Sequence, residues 1–262
     1  MLHPRIIPNL LIHNKGLVKT VNFKNPKYVG DPINAVKIFN EKSVDELIVS
    51  DIDATINNIE PDYSLIEKIA MECRMPLCYS GGISNSNQAK TIFSLGVEKI
   101  AISSSAINNP QLITELSDSV GSQSVVVVMD IKKNFLGSKY ELVTHNGTKK
   151  TGINPLKFVE RIKELGVGEI VINSIDKDGT MDGYDYQLID QIRNITSLPL
   201  TVLGGAGSLE DIGNIIDRYQ IIGAGAGSIF VFKGKYRAVL INYPNDKEKN
   251  DLIKRYINKW KY

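Results

Sequence analysis

The feature that most constrains this chain is an internal repeat: residues 31–82 align without a gap on residues 154–205, at a constant shift of 123 positions. Asp31-Pro32 falls on Asn154-Pro155, Glu46 on Glu169, Asp53 on Asp176 and Asp62-Tyr63 on Asp185-Tyr186. Pro76-Leu77 meets Pro199-Leu200, Gly81-Gly82 meets Gly204-Gly205, and after a one-residue slip Ser103-Ser104 meets Gly227-Ser228. A solenoid needs several short repeats, whereas two long ones suit duplication of a half-barrel.

Short β-rich apolar runs alternate with amphipathic segments throughout, the signature of βα units around a parallel sheet. Strands are expected at Arg5–Ile12, Glu46–Ile52, Leu77–Ser80, Lys99–Ser103, Ser124–Ile131, Glu169–Asn173, Leu200–Leu203 and Ile221–Gly225. Helical patterns fall on Pro32–Lys42, Tyr63–Cys73, Asn87–Leu95, Pro155–Leu165 and Tyr186–Asn194. Strand count alone would serve an open doubly wound sheet equally well; the repeat decides for closure. The expected fold is α/β, a (β/α)8 barrel made of two homologous half-barrels, about 1–120 and 121–240, in one domain of 262 residues. Over 247–262, Leu252, Ile253, Tyr256, Ile257 and Trp260 recur at helical spacing, which reads as a final barrel helix packing inward rather than a membrane-surface helix.

With 31 basic and 29 acidic residues the net charge is +2, which gives no case for nucleic acid as a partner. No stretch reaches the roughly 20 apolar residues of a membrane span, and the Pro-interrupted start does not read as a signal peptide, so a cytoplasmic protein is expected. Cys73 and Cys78 lack neighbouring histidines and read as reduced thiols; no metal or cofactor is expected.

In a barrel, chemistry sits at the C-terminal ends of the strands. The third strand ends in Ser80-Gly81-Gly82 and the fourth in Ser103-Ser104-Ser105. The seventh ends in Gly204-Gly205-Ala206-Gly207 and the eighth in Gly225-Ala226-Gly227-Ser228. Glycines let backbone N–H groups approach an anion, and a Ser at a helix start adds a hydroxyl donor. One such loop would be an ordinary tight turn. Paired on neighbouring strands and repeated in the other half, they read as two phosphate sites across one mouth. Asp130 closes the apolar run Val125–Met129, where a carboxylate is costly unless exposed or paired. Asp178 follows the sixth strand, and two such carboxylates can serve as general acid and base.

At these residues the chain resembles the cyclase (HisF) subunit of imidazole glycerol phosphate synthase, from Arg5 to the last helix. The resemblance rests on RIIP (5–8), LVKTVNF (17–23), DELIVSDIDA (45–54), SGGI (80–83), GSQSVVVVMDIKK (121–133), KKTG (149–152), GEIVINSIDKDGTMDGYD (168–185), GGAGSLED (204–211) and GSIF (227–230). It implies a TIM barrel and a cyclase/lyase that consumes ammonia, with essential acid–base chemistry at Asp130 and Asp178. Lys19, in the loop after the first strand, matches a mobile-loop lysine that covers substrate. The implied substrate- and phosphate-binding set also includes Gly81, Gly82, Ser103, Ser104, Asn173, Asp176, Gly204, Gly205, Gly227 and Ser228. Arg5, Glu46, Lys99 and Glu169, at the starts of strands one, two, four and six, match an ionic gate at the ammonia entrance. Charged strand ends are usually just solvated. All four matches are present, which points to a HisH-like glutaminase docked on that face.

The family also carries an aspartate near the end of the first strand, where this chain has Leu11. Leucine cannot move a proton; Asn9, His13 or a substrate group would have to compensate. Ser80 replaces a glycine and Ser103 an asparagine of the first phosphate site. With the run SDIDATINNIEPDYSLIEKIA, these departures resemble the HisF-like paralogues of surface-polysaccharide clusters. There a glutaminase and such a barrel supply ammonia to a sugar amidotransferase making an acetamidino sugar for lipopolysaccharide. The alternatives are an authentic cyclase–lyase of histidine biosynthesis, a non-catalytic ammonia-channelling scaffold, and the sister isomerase sharing the barrel and both phosphate sites. The gate and SIDKDGTMDGYD favour the cyclase side over the isomerase.

Overall fold

The computed structural model describes residues 3–134 and 139–257. Eight parallel strands close into a barrel: β1 (Arg5–His13), β2 (Leu47–Asp51), β3 (Leu77–Ser80), β4 (Lys99–Ile102), β5 (Val125–Lys133), β6 (Glu169–Ser174), β7 (Leu200–Leu203) and β8 (Gly223–Ala226). Each pairs with its sequence neighbour, and β1 closes the ring on β8 with Arg5 opposite Gly223 and Pro8 opposite Ala226. This is the (β/α)8 TIM barrel expected from the repeat.

The duplicated residues start the same helices in both halves. Asp31 caps Pro32–Glu41 and Asn154 caps Pro155–Ile162, each with Pro in the first turn, where its missing N–H costs nothing. Asp62 accepts the Leu65 N–H ahead of Tyr63–Glu72, as Asp185 accepts that of Leu188 ahead of Tyr186–Arg193.

Alternation along each strand divides the core in two. One set, including Ile6, Leu47, Leu77, Ile100 and Val125, faces the helices. The other, Ile7, Ile48, Cys78, Ala101, Val126, Val171 and Leu203, fills the lumen as a separate apolar cluster. Each Val, Leu or Ile side chain in these sets stabilises the fold by about 1.5–3 kcal/mol when fully buried.

Two additions stand on this frame. β1 turns into an antiparallel hairpin, Gly16–Val21 with Lys24–Gly30, in which Leu11 pairs with Val18. β5 is extended by Tyr140–Thr144, with Ile131 opposite Leu142, and then by Lys149–Lys150. The hairpin corrects one expectation: Lys19 lies on a strand and is buried, not in a mobile loop after the first strand. The last described helix, Asp246–Ile257, lies against Leu209–Tyr219, where Gly213 makes room for the Tyr256 ring. Leu252 is buried there, as an inward-packing barrel helix requires, while Trp260 lies outside the described residues. Cys73 and Cys78 are free thiols. Among the described residues no helix is long and apolar enough to cross a membrane.

Candidate active site

The N-terminal end of the lumen is plugged by charge. Arg5 donates to Glu46 and, at 2.7 Å, to Glu169 Oε1; Lys99 Nζ lies 2.9 Å from both Glu46 Oε1 and Glu169 Oε2. All four expected residues therefore meet in one network. A fifth member escaped the sequence: the Thr201 hydroxyl of β7 donates to Glu169 Oε1 at 2.5 Å. Its room comes from Gly223 on β8, where a Cβ would sit 1.8 Å from Thr201 Oγ1. Burial pushes the Glu169 carboxyl up, but the Arg5 charge and hydrogen bond, Lys99 and Thr201 outweigh it and hold it at about 2. Glu46 and Glu169 are both buried, so two cations for two carboxylates is what makes the plug tolerable. Directly above it comes the apolar lumen cluster.

At the C-terminal end the barrel opens into a cavity of about 510 Å³. Gly81, Gly82, Ser103, Ser104, Asp130, Asn173 and Asp178 line it, as does Leu11. Gly81 has φ +133°, and a Cβ there would lie 2.7 Å from Asp51 Cβ and backbone O, so the loop needs glycine. Asp130 accepts the Asn173 amide at 2.9 Å and the Ser103 hydroxyl at 3.3 Å. Burial lifts its carboxyl to about 6, against the lowering pull of those two bonds. A carboxyl poised there exchanges protons near neutral pH, as a general acid or base requires.

The second glycine cradle lies beside this cavity in a much smaller recess of about 20 Å³, lined by Lys19, Asn173, Asp178, Gly204, Gly205, Gly227 and Ser228. Gly205, at φ +112°, packs so closely that a Cβ would lie 2.1 Å from Gly183 O. Lys19 crosses the recess: its stem lies over Gly227, and its ammonium bonds Asp178 Oδ1 at 2.7 Å and Thr20 O at 2.8 Å. Asp178 also accepts the Thr20 hydroxyl at 2.9 Å. Among the described residues Ser228 Oγ is buried without a hydrogen-bond partner, and Ser228 lines this recess, where an anion would satisfy it.

Asp176 does not reach either space. Its carboxylate accepts the Lys133 N–H at 2.7 Å and so ties β5 to the turn after β6. Its repeat partner Asp53 is likewise engaged, accepting from Asn14 N at 2.7 Å and lying 2.6 Å from His13 Nδ1. His13 belongs to β1, which runs one residue beyond its expected end.

Sequence reasoning missed three ionisable groups that line the cavity, Asp51, Glu60 and His145. Asp51 ends β2 as Asp130 ends an apolar run in β5, so the same cost argument would have found it. Burial raises its carboxyl even though the N–H groups of Asp53 and Ala54 bond it. His145 reaches the mouth only because the strand after β5 folds back, which no local pattern signals.

This is a (β/α)8 TIM barrel with a charged plug at one end and a carboxylate-lined mouth between glycine cradles at the other. The family model described as "Histidine biosynthesis protein" matches residues 5–237. A Vibrio vulnificus relative, provisionally named imidazole glycerol phosphate synthase subunit hisF3, is 55% identical over 97% of both chains. A Pseudomonas aeruginosa relative, provisionally named as subunit hisF2, is 50% identical over 94% of this chain and 97% of its own. A Natranaerobius thermophilus protein named imidazole glycerol phosphate synthase subunit HisF, without that qualification, is 37% identical over 94% of this chain and 98% of its own. The chain belongs to the histidine biosynthesis protein family, as a HisF-like synthase subunit.

Proposed function

We propose that this chain is the ammonia-using subunit of a two-protein synthase. A HisH-like glutaminase docks on the plugged face, ammonia passes the plug and the apolar lumen, and a C–N bond forms at the mouth. The observation that carries this reading is the coaxial arrangement of the Arg5–Glu46–Lys99–Glu169 plug, the apolar lumen and Asp130. A neutral small molecule such as ammonia crosses an apolar column at far lower cost than ammonium, which would have to shed its hydration there. The glycine cradles and the unpartnered Ser228 hydroxyl support a phosphorylated acceptor.

The chain acts as a divergent paralogue, serving acetamidino-sugar synthesis for surface polysaccharide together with a sugar amidotransferase. Leu11 supports this, because it removes a titratable group from the mouth. So does the higher identity to the provisionally named, numbered relatives than to those named HisF outright. The test has two arms. Affinity purification with mass spectrometry identifies the partners, and a glutaminase together with a sugar amidotransferase is the expected pair. Assay with the phosphorylated ribonucleotide substrate of the histidine pathway and ammonium salt is expected to give little turnover; a rate like that of an ordinary cyclase would sink the paralogue reading.

A further inference from the structure

Forming an imine from ammonia at a carbonyl carbon moves two protons from nitrogen to oxygen. The first transfer, at addition, gives a carbinolamine, and the second lets the oxygen depart as water and leaves an imine. Each needs a group that takes a proton from nitrogen and one that gives a proton to oxygen. A mouth with Asp130 alone supplies one of the two groups, and Leu11 offers none. Among the described residues, the ionisable side chains facing the cavity are Asp51 at the end of β2, Glu60 in the loop after it, Asp130, Asp178 and His145. Asp178 is neutralised by Lys19. Asp51 is occupied on Oδ1 by two backbone N–H groups beside the Gly81 loop. Imidazole is the commonest general acid–base group, and His145 presents one to this cavity.

Its placement is built rather than incidental. His145, Asn146 and Gly147 take three consecutive left-handed conformations, at φ 53°, 53° and 75°. Such backbone persists only where its surroundings hold it. Here the Asn146 amide donates to Ile52 O at 3.0 Å, across the mouth. Thr148 donates its hydroxyl to His145 O at 2.6 Å, and Gly147 packs on Ile175 and Phe23. Thr144 Oγ1 lies 3.0 Å from His145 Nδ1, so Nε2 is the ring atom open to a ligand.

We propose that His145 is the second proton-transfer residue of this mouth, acting on the ligand together with Asp130 in the role that Leu11 leaves vacant. The inference rests on the amination reading above. At addition Asp130 takes a proton from the attacking nitrogen and the His145 imidazolium gives one to the oxygen, forming the carbinolamine. The same pair then moves the second proton as water departs and the imine forms. Solvent exchange resets both groups after each transfer, and no further reactant is needed.

The test uses the full chain and does not depend on knowing the acceptor. The ring resonances of the three histidines are followed by proton NMR at fixed pH, with His145 assigned by its loss in His145→Gln. Inorganic phosphate is then added, and Asp130→Asn is examined separately. Both perturbations are expected to move the His145 resonance and leave His3 and His13 in place. A His145 resonance indifferent to both would overturn the proposal, whatever the fate of the amination reading. With the complete synthase, His145→Gln is expected to lower ammonia-dependent turnover about 10²-fold, to remove one limb of its pH profile, and to leave glutamine hydrolysis by the partner intact. Added imidazole should partly restore His145→Ala. Unchanged turnover and profile in His145→Gln would also overturn it.

Discussion

Replacing Arg5 by methionine tests the plug most directly. The substitution keeps a long apolar stem but removes the charge that contacts both Glu46 and Glu169. Glu169 moves from its ordinary 4.5 to about 2 in the folded chain, which at about 1.4 kcal/mol per pH unit amounts to on the order of 3 kcal/mol of stability at neutral pH. Lys99 still pairs with both glutamates in the variant, so part of this survives and a loss of about 2–3 kcal/mol is expected. The sign in pH follows from the depressed carboxyl. Stability from this ionisation is present in full above about 4.5 and disappears as pH falls towards about 2. Urea unfolding of both proteins between pH 7 and pH 3 should therefore give a gap that is widest at neutral pH and narrows below 4.5. A gap of constant size across that range would show that Arg5 acts by packing alone, and would refute the electrostatic account of the plug.

Asp130→Asn is expected to abolish amination while stabilising the fold by about 1–3 kcal/mol at pH 7, measured by thermal unfolding. A buried carboxyl raised to about 6 favours folding only while protonated, and that contribution is lost as pH rises through 6. Lys19→Met leaves the Asp178 carboxylate without its cation in a buried setting and should cost about 2–4 kcal/mol; Asp178→Asn in the same chain should recover part of it in a double-mutant cycle. Leu11→Asp should cost about 2–3 kcal/mol, because the side chain is largely buried between β2 and the hairpin. In exchange it should raise turnover of the histidine-pathway substrate with ammonium salt at least about tenfold.

The elements legible in advance were those whose ends are chemically marked. Leu77–Ser80 and Leu200–Leu203 occupy their expected spans, because each short apolar run is bracketed by proline and glycine. Helix starts were equally plain where Asp or Asn precedes Pro or an apolar stripe. The hairpins were not, since Lys24–Gly30 is mostly exposed and carries no alternation to read. Their absence hid the placement of two side chains. Lys19 looks solvated until a partner 159 positions away buries it, and His145 looks like a turn residue until Asn146 pins it across the mouth. The plug was legible as four charges at strand starts. Its fifth member was not, because nothing marks Thr201 except the glycine beside it in space.

The plug is also a record of how far folding has gone. Arg5 and Glu169 stand 164 positions apart, and Arg5 is seated by pairing of β1 with the last strand, opposite Gly223. Tyr243, beyond that strand, donates to Ile6 O, and Lys249 clamps Asp45 next to Glu46. Contacts of such long range form only after the intervening chain has been ordered, at the full entropic cost of closing it. The first half of the barrel, or a chain still emerging from the ribosome, has Arg5, Glu46 and Lys99 without Glu169, Thr201 and the last strand. The charged face is therefore a signature of completed molecules, and any protein that docks on it meets only barrels that have already closed.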